Sequence, residues 1–120
     1  MPAAWISHKG TRILYVDFRK LKPESILPLM KVSDDMVRAS PTKVRYLGNI
    51  EDAVVTREVI AQLRQYTDKS IRQKFEKLAV VGVTGVKKVF FTAFVATLDK
   101  SEVQVKSFKT EEEAKEWLAE

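Results

Sequence analysis

The sequence predicts a single α/β domain in which helices pack against a mainly parallel central sheet. Strand-like and helix-like segments alternate along its 120 residues, an arrangement typical of that fold class. The chain also opens with two strand-like segments joined at Lys9-Gly10, where a glycine supplies the positive φ of a tight hairpin. The predicted order is ββαβαβαβα, and at this length residues 1–120 form one domain.

Composition restricts the kinds of site that the chain can hold. The 45% hydrophobic and 31% charged content is typical of a folded globular domain. With no cysteine and one histidine, disulfides, thiolate metal sites and multi-histidine metal sites are excluded. No apolar run reaches the length of a membrane span, and the first ten residues lack the features of a signal peptide. We therefore expect a cytoplasmic protein.

The first elements are two strands and a helix. Strands are predicted over Trp5–Ser7 and Thr11–Phe18, and the near-continuous apolarity of the second is typical of a strand covered on both faces. The first helix is predicted over Pro23–Ser40. With Ser25 as its N-cap, Pro28 would occupy the third helical position, where a missing N–H costs no intrahelical bond.

The middle of the chain predicts a short strand and a second helix. The strand covers Lys43–Leu47 and is closed by Gly48-Asn49, with Asn49 as a turn residue that tolerates positive φ. The helix begins near Thr56, and the residues after it, up to Lys77, are expected to form a loop. Helical spacing on this helix indicates an apolar face with Ile60 beside it: Val59, Leu63 and Tyr66.

The last part of the chain contains two strands and two helices. Leu78–Val83 is predicted as a strand and Glu102–Phe108 as another. The pattern of Val86–Leu98 fits either strand or helix, and helix is favoured because parallel strands need a crossover. Thr110-x-x-Glu113 is a capping box, and it begins a final helix with three inward residues: Ala114, Trp117 and Leu118.

The order of elements and three segments resemble the SpoIIAA-like branch of the STAS superfamily. The segments are ISHKGTRILYVDF, AVVGVTGVKK and SFKTEEEAKEWL. The resemblance implies a small α/β module that contacts protein partners, and some members take up nucleotides or other small ligands. Well-known members are switched by phosphorylation of a serine in an Asp-Ser-Ser-Gly context. The corresponding stretch here is Val54-Val55-Thr56-Arg57, so the resemblance does not extend to that switch.

A first candidate binding site lies where the fourth strand leads into the next helix. Its residues are Gly82, Thr84, Gly85, Lys87 and Lys88. Free N–H groups at a helix start, together with lysines, favour phosphate or carboxylate. The spacing matches neither a P-loop nor a dinucleotide fingerprint, so a tight turn with Thr84 as N-cap stays an alternative. Asn49 and Thr56 would lie beside this site if the two strands are neighbours, and each could equally serve its local turn or cap.

A second candidate is an apolar stripe on the helix predicted over Val86–Leu98. Its members are Phe91, Phe94, Val95 and Leu98. The stripe is interpreted as a homodimer interface or as the lip of an apolar ligand pocket. It could equally be covered by another helix of the same chain.

Other chemistry-bearing residues predict no reaction. His8 has no converging nucleophile and is interpreted as a solvated hairpin residue. Adjacent carboxylates, such as Asp34 and Asp35, diverge on a helix and are not spaced for acid–base work or for a metal. A basic helix face has no interleaved aromatic platform, so nucleic-acid binding is not favoured: Arg57, Arg64, Lys69 and Arg72. No catalytic residue, metal or cofactor is predicted.

The sequence thus favours a non-enzymatic binding or regulatory module. Its protein partner, whose identity the sequence does not give, would meet the carboxyl ends of the strands and the starts of the helices. The alternative function is a carrier or sensor of a small acidic or apolar, lipid-like ligand, held in a pocket beside the Phe91–Leu98 segment.

Overall fold

The computed structural model describes residues 2–66, 69–96 and 103–120, without the side chains at 63, 64, 66, 69 and 70. The elements, in chain order, are β1 (Ala3–His8), β2 (Thr11–Asp17), α1 (Pro23–Ala39), β3 (Val44–Asn49), α2 (Arg57–Tyr66), α3 (Lys69–Arg72), β4 (Phe75–Val81), α4 (Lys87–Ala96), β5 (Gln104–Phe108) and α5 (Glu111–Leu118). The predicted fold class is confirmed. The short helix α3 was not predicted from the sequence.

The five strands form one sheet in the order β1-β2-β3-β4-β5. β1 pairs antiparallel with β2, and every later pair is parallel. The parallel strands therefore advance in a single direction across the sheet. Because crossovers between parallel strands share one hand, the connecting helices must lie on the same face.

Two hydrophobic clusters lie on the two faces of this sheet. The first joins β2, β3 and β4 to the crossover helices α1, α2 and α3, with Phe94 of α4 packed against it. The second joins the opposite face of the same strands to α5 through Ala114 and Leu118, both fully buried. The near-continuous apolarity of β2 follows from this arrangement, since Ile13 faces α5 while Leu14 and Val16 face the crossover helices.

The predicted start of α1 at Pro23 is confirmed, but the predicted cap is not. Lys22 is the N-cap and makes no side-chain cap, and Pro23 occupies the first helical position, where proline's fixed φ suits the helix. Ser25 is thus inside the helix and is not its cap. Pro28 consequently lies within the helix, beyond the first turn. At that position it removes a bond to the carbonyl four residues earlier.

Two boundaries in the middle of the chain were also predicted wrongly. Gly48 and Asn49 do not follow β3 but are its last two residues, both buried, and Asn49 does not adopt a positive φ. The stretch up to Lys77 is not a loop, because it contains α3 and the first half of β4. Lys77 is buried in the strand, and its ammonium donates to the carbonyls of Trp117 and Glu120, at 3.0 Å each. Glycine, asparagine and lysine are disfavoured in strands, but pairing with the neighbouring strands overrides that preference at these positions.

The hairpin turns at Lys9 and Gly10, both with positive φ, as the predicted two-residue turn requires. His8, at the end of β1, is not simply solvated. Its Nε2 lies 2.9 Å from Oε1 of Glu116 on α5, and the Lys9 ammonium donates to the other oxygen of that carboxylate at 2.6 Å. The hairpin is thereby tied to the last helix.

The predicted cap of α5 is confirmed. The hydroxyl oxygen of Thr110 accepts a hydrogen bond from the backbone N–H of Glu113 at 3.2 Å, and three glutamates occupy the first turn. At the other end, the Arg45 guanidinium donates to the carbonyls of Leu118 and Glu120. Negative charge at the start and positive charge at the end both complement the helix dipole. Glu102 and Leu98, at predicted element boundaries, lie outside the described residues.

Candidate functional site

The two segments singled out from the sequence do lie side by side. Asn49 at the end of β3 pairs with Val81 at the end of β4, and the Ile50 N–H donates to the Val81 carbonyl at 2.8 Å. Gly82 follows with a φ of +94°, and a Cβ built there would come within 2.6 Å of the backbone nitrogen of Glu51. The segment Asn49–Thr56 and the segment Gly82–Lys88 are therefore in direct contact at the carboxyl edge of the sheet.

The lysines at the start of α4 have different environments. Lys87 is half-buried as a residue, and its ammonium donates to the Ile50 carbonyl at 2.9 Å. Lys88, the next residue, is exposed, as are Thr84 and Gly85 in the turn before the helix. The backbone N–H groups of both lysines already donate to the turn, at Thr84 and Gly85. Anion binding by this segment thus stays a prediction, and of the two lysines it is Lys87 that points toward the core.

Thr56 begins α2. Its hydroxyl oxygen accepts a hydrogen bond from the Val59 N–H at 3.2 Å, which satisfies one of the free donors of the first turn. The N-cap interpretation of Thr56 is confirmed. A role of Thr56 in binding stays a prediction.

Asn49 takes part in a polar cluster at the start of α5, the helix that covers the face of the sheet opposite the crossover helices. Its amide donates to Oε2 of Glu111 at 2.7 Å, and its carbonyl oxygen accepts from the Glu51 N–H at 3.0 Å. The Tyr15 hydroxyl donates to the same Glu111 oxygen. The three side chains come from β2, β3 and the start of α5, which the parallel register brings to one edge. Sequence reasoning singled out Asn49 and missed that Glu111 and Tyr15 join it in one cluster.

The electrostatics of this cluster favour an ionised Glu111. Burial by itself raises the pKa of that carboxyl, but the bonds donated by Tyr15 and Asn49 outweigh it and hold the pKa below its usual value. Burial and the adjacent carboxylate raise the pKa of Tyr15. The Tyr15 hydroxyl and the Asn49 amide thus both donate to the Glu111 carboxylate, and these bonds join the sheet to α5. The cluster is therefore interpreted as structural.

A cavity of about 170 Å³ lies on the face of the sheet that the crossover helices cover, between the sheet and α4. The sheet contributes Tyr46, Gly48, Leu78 and Val80, and α4 contributes Lys87, Phe90, Phe91 and Phe94. Residues of α1, of α2 and of the loop between β3 and α2 close the remaining sides. The cavity is partly open to solvent, and its surface is almost wholly apolar.

The cavity exists because α4 packs loosely. None of the described residues of this helix is buried, although its sequence is apolar on nearly every side. Phe91 and Phe94 line the cavity as the predicted lip would, whereas Val95 is half-buried and does not line it. Leu98 lies outside the described residues. Phe90 lines the cavity too, and its spacing of one and four residues from Phe91 and Phe94 was the signal that could have included it.

No group of three or more histidine, aspartate or glutamate side chains in the described part of the chain could hold a metal ion. Across residues 2–66, 69–96 and 103–120, no helix has the length and apolarity needed to cross a membrane.

Comparison with known proteins agrees with this architecture. The profile of the family described as SpoIIAA-like matches residues 7–119, which is nearly the whole chain. The chain belongs to the SpoIIAA-like family. Among solved structures, an uncharacterized protein with a SpoIIAA-like fold from Shewanella loihica is similar, with a TM-score of 0.67. That likeness covers 97% of this chain and 91% of the other, at 14% sequence identity, so it concerns the fold.

A search of the curated proteins finds no match. Membership of the SpoIIAA-like family confirms the resemblance drawn from the three segments.

Proposed function

We propose that this SpoIIAA-like domain binds a small apolar molecule in the cavity between the sheet and α4. It acts as a non-catalytic carrier or sensor, which was the alternative hypothesis from the sequence. The observation that supports this most directly is the lining, which is almost entirely apolar and lies within an otherwise packed core. Ligand pockets are commonly concave, apolar and largely preformed.

The size of the cavity supports the same proposal. Protein interiors rarely contain voids larger than a water molecule. The apolar walls around this space of about 170 Å³ lack the contacts with other apolar atoms that a packed interior provides. A bound apolar molecule restores the missing contacts. The void is also as large as an engineered cavity of about 150 Å³ that accepts benzene.

The experiment is a binding titration with an apolar probe, 1-octanol, followed by calorimetry. The test variant is Val80→Phe, which fills the cavity from β4. The control is Val32→Phe, the same substitution at an exposed position of α1. We expect Val80→Phe to weaken octanol binding at least tenfold and Val32→Phe to leave it unchanged. Native mass spectrometry of the purified wild type should also show a retained small molecule.

Two results would contradict the proposal. One is that octanol does not bind to the wild type at all. The other is that Val80→Phe, folded by circular dichroism, binds octanol as tightly as Val32→Phe does. In either case the cavity would be a packing defect of the core and not a ligand site.

A second function, protein contact at the carboxyl edge of the sheet, is favoured by a separate observation. Three valines of this edge expose half or more of their surface: Val54 at 50%, Val86 at 64% and Val89 at 65%. Lys88 lies among them and is exposed. Val86 and Val89 are joined by the hydrogen bond from the Val89 N–H to the Val86 carbonyl, and exposed apolar residues beside a charged one are typical of a surface that a partner covers. The partner would be a protein with an apolar, acidic surface.

This second function predicts that Lys88→Glu and Val89→Gln each weaken a partner complex rebuilt from purified components. Neither side chain lines the cavity, so both variants should keep the wild-type affinity for octanol. If both variants keep the complex, the protein-contact surface lies elsewhere on the domain.

A further inference from the structure

We infer that the cavity's ligand is an apolar molecule with a single terminal carboxylate, and that Lys87 binds this carboxylate. The inference rests on the proposed function, because it specifies the headgroup of the same ligand. Lys87 is the only charged residue among the described residues that line the cavity. Because the cavity surface is almost wholly apolar, Lys87 lines it mainly with the carbon atoms of its side chain, while its ammonium bonds to the Ile50 carbonyl. A lone cation at the margin of an apolar space favours an amphiphile with one acidic end.

Lys87 has hydrogen-bonding capacity to spare. An ammonium group offers three donors, and the contact that the structure gives for this one is the bond to the Ile50 carbonyl at 2.9 Å. Among the described residues, no carboxylate forms an ion pair with Lys87. Two donors are therefore available to a ligand while the Ile50 bond remains.

The surroundings make a counterion favourable. Lys87 is half-buried, and the other residues that α4 contributes to the cavity wall are Phe90, Phe91 and Phe94. A charge that is partly removed from water loses solvation and gains more from an opposite charge than an exposed lysine does. The neighbouring Lys88 shows the contrast, since it is exposed and does not line the cavity.

The charge count favours a carboxylate over a phosphate monoester. A phosphate monoester carries between one and two negative charges at neutral pH, whereas a carboxylate carries one. The described lining provides one cation to match. The apolar part is a ring or a short chain, because the volume resembles that of a cavity that holds benzene.

The test compares three ligands with the same tail: octanoate, 1-octanol and octyl phosphate. Titration calorimetry is carried out at neutral pH and low salt on the wild type, on Lys87→Met and on the control Lys88→Met. We expect the wild type to bind octanoate at least tenfold more tightly than octanol and octyl phosphate. Lys87→Met should lose about tenfold in octanoate affinity while its octanol affinity changes less than twofold. Lys88→Met should behave as the wild type.

A further variant, Lys87→Gln, separates charge from hydrogen bonding. It keeps a donor for the Ile50 carbonyl and removes the positive charge, so it should lose the preference for octanoate as Lys87→Met does. Retention of the preference in both Lys87 variants would overturn the inference.

The remaining outcomes distinguish the carboxylate inference from the proposed binding of an apolar ligand. Equal binding of octanol and octanoate to the wild type overturns the carboxylate inference and leaves the apolar-ligand function standing. Tighter binding of octyl phosphate replaces the carboxylate by a phosphate. Binding of none of the three overturns the proposed function itself, and the inference with it.

Discussion

Gly82 occupies a position that no other residue fits. Its φ is +94°, and a Cβ would meet three atoms of Glu51 within 2.8 Å, two of them backbone atoms. Gly85, three residues later, has a φ of +59° but open space where its Cβ would lie. The sequence indicated that both glycines shape a turn. Only the structure shows that one of them also allows two loops to pack against each other.

These two glycines provide a matched pair of variants. Gly85→Ala should cost about 1–2 kcal/mol, which is the usual penalty for a left-handed conformation. Gly82→Ala should cost at least about 2 kcal/mol more, because backbone atoms of Glu51 would have to move. Urea unfolding with unchanged m-values measures both. Equal losses in the two variants would show that the Glu51 contact is relaxed at no cost.

The Glu111 carboxylate gives the domain a pH dependence. Its pKa is lower in the folded state than in the unfolded chain, so it stabilises the fold at neutral pH. This stabilisation is lost as the pH falls through the folded-state pKa. Tyr15→Phe removes one donor from the carboxylate. We expect it to lower the free energy of unfolding by about 1–2 kcal/mol at neutral pH.

The difference between Tyr15→Phe and the wild type should shrink in acid, where Glu111 is protonated in both proteins. Urea unfolding at neutral and acidic pH measures it. A loss of stability that does not change with pH would mean that the tyrosine acts through packing alone.

Among the elements, α1 shows how sequence signals compete. The helix was predicted over Pro23–Ser40, with Ser25 interpreted as an N-cap so that Pro28 would cost no bond. The structure begins the helix at Pro23 and keeps Pro28 inside it. Burial of Ile26, Leu29 and Val37 against the sheet stabilises the whole helix and outweighs the bond that Pro28 removes.

Pro28 therefore lowers the free energy of unfolding below what the same helix would give without it. Pro28 is exposed, so Pro28→Ala adds a backbone donor and removes no buried contact. We expect a gain of about 2 kcal/mol, the helix-interior penalty of proline reduced by the added freedom of the unfolded chain. Thermal and urea unfolding measure the gain. A destabilised variant would show that the ring of Pro28 contributes packing that its exposure does not indicate.

α4 is the element whose type the sequence left ambiguous. Its β-branched and aromatic residues suit a strand, and the need for a crossover between parallel strands favoured the helix, which is confirmed. What the pattern could not give is how closely the helix packs. An apolar helix with no buried residue depends on the shapes of its neighbours, and those come from segments distant in sequence.

At the scale of the whole molecule, the two faces of the sheet differ in how they are packed. Among the described residues, α5 packs on one face through Ala114 and Leu118, which are both fully buried. The crossover helices cover the other face and leave the cavity. Stability and binding should therefore respond to different substitutions.

Leu118→Ala and Phe94→Ala test this division. Leu118 is fully buried, and its truncation should cost about 2–5 kcal/mol while the folded protein keeps its affinity for octanol. Phe94 is half-buried at the cavity, so its truncation should cost only about 1–2 kcal/mol and weaken octanol binding. Unfolding and calorimetry on both variants measure the two effects. A loss of octanol affinity in folded Leu118→Ala would show that the faces are coupled.

The sequence by itself determined the fold class, the hairpin, the parallel alternation, the caps at Thr56 and Thr110 and the family. These depend on local periodicity, turn chemistry and short motifs, which adjacent residues specify. The tertiary structure decided that Lys77 is a buried strand residue, that Asn49 binds Glu111, and that Lys87 lines a cavity with Phe90, Phe91 and Phe94. Each of these depends on strand register and on how closely α4 approaches the sheet, and both follow from contacts between residues far apart in the chain.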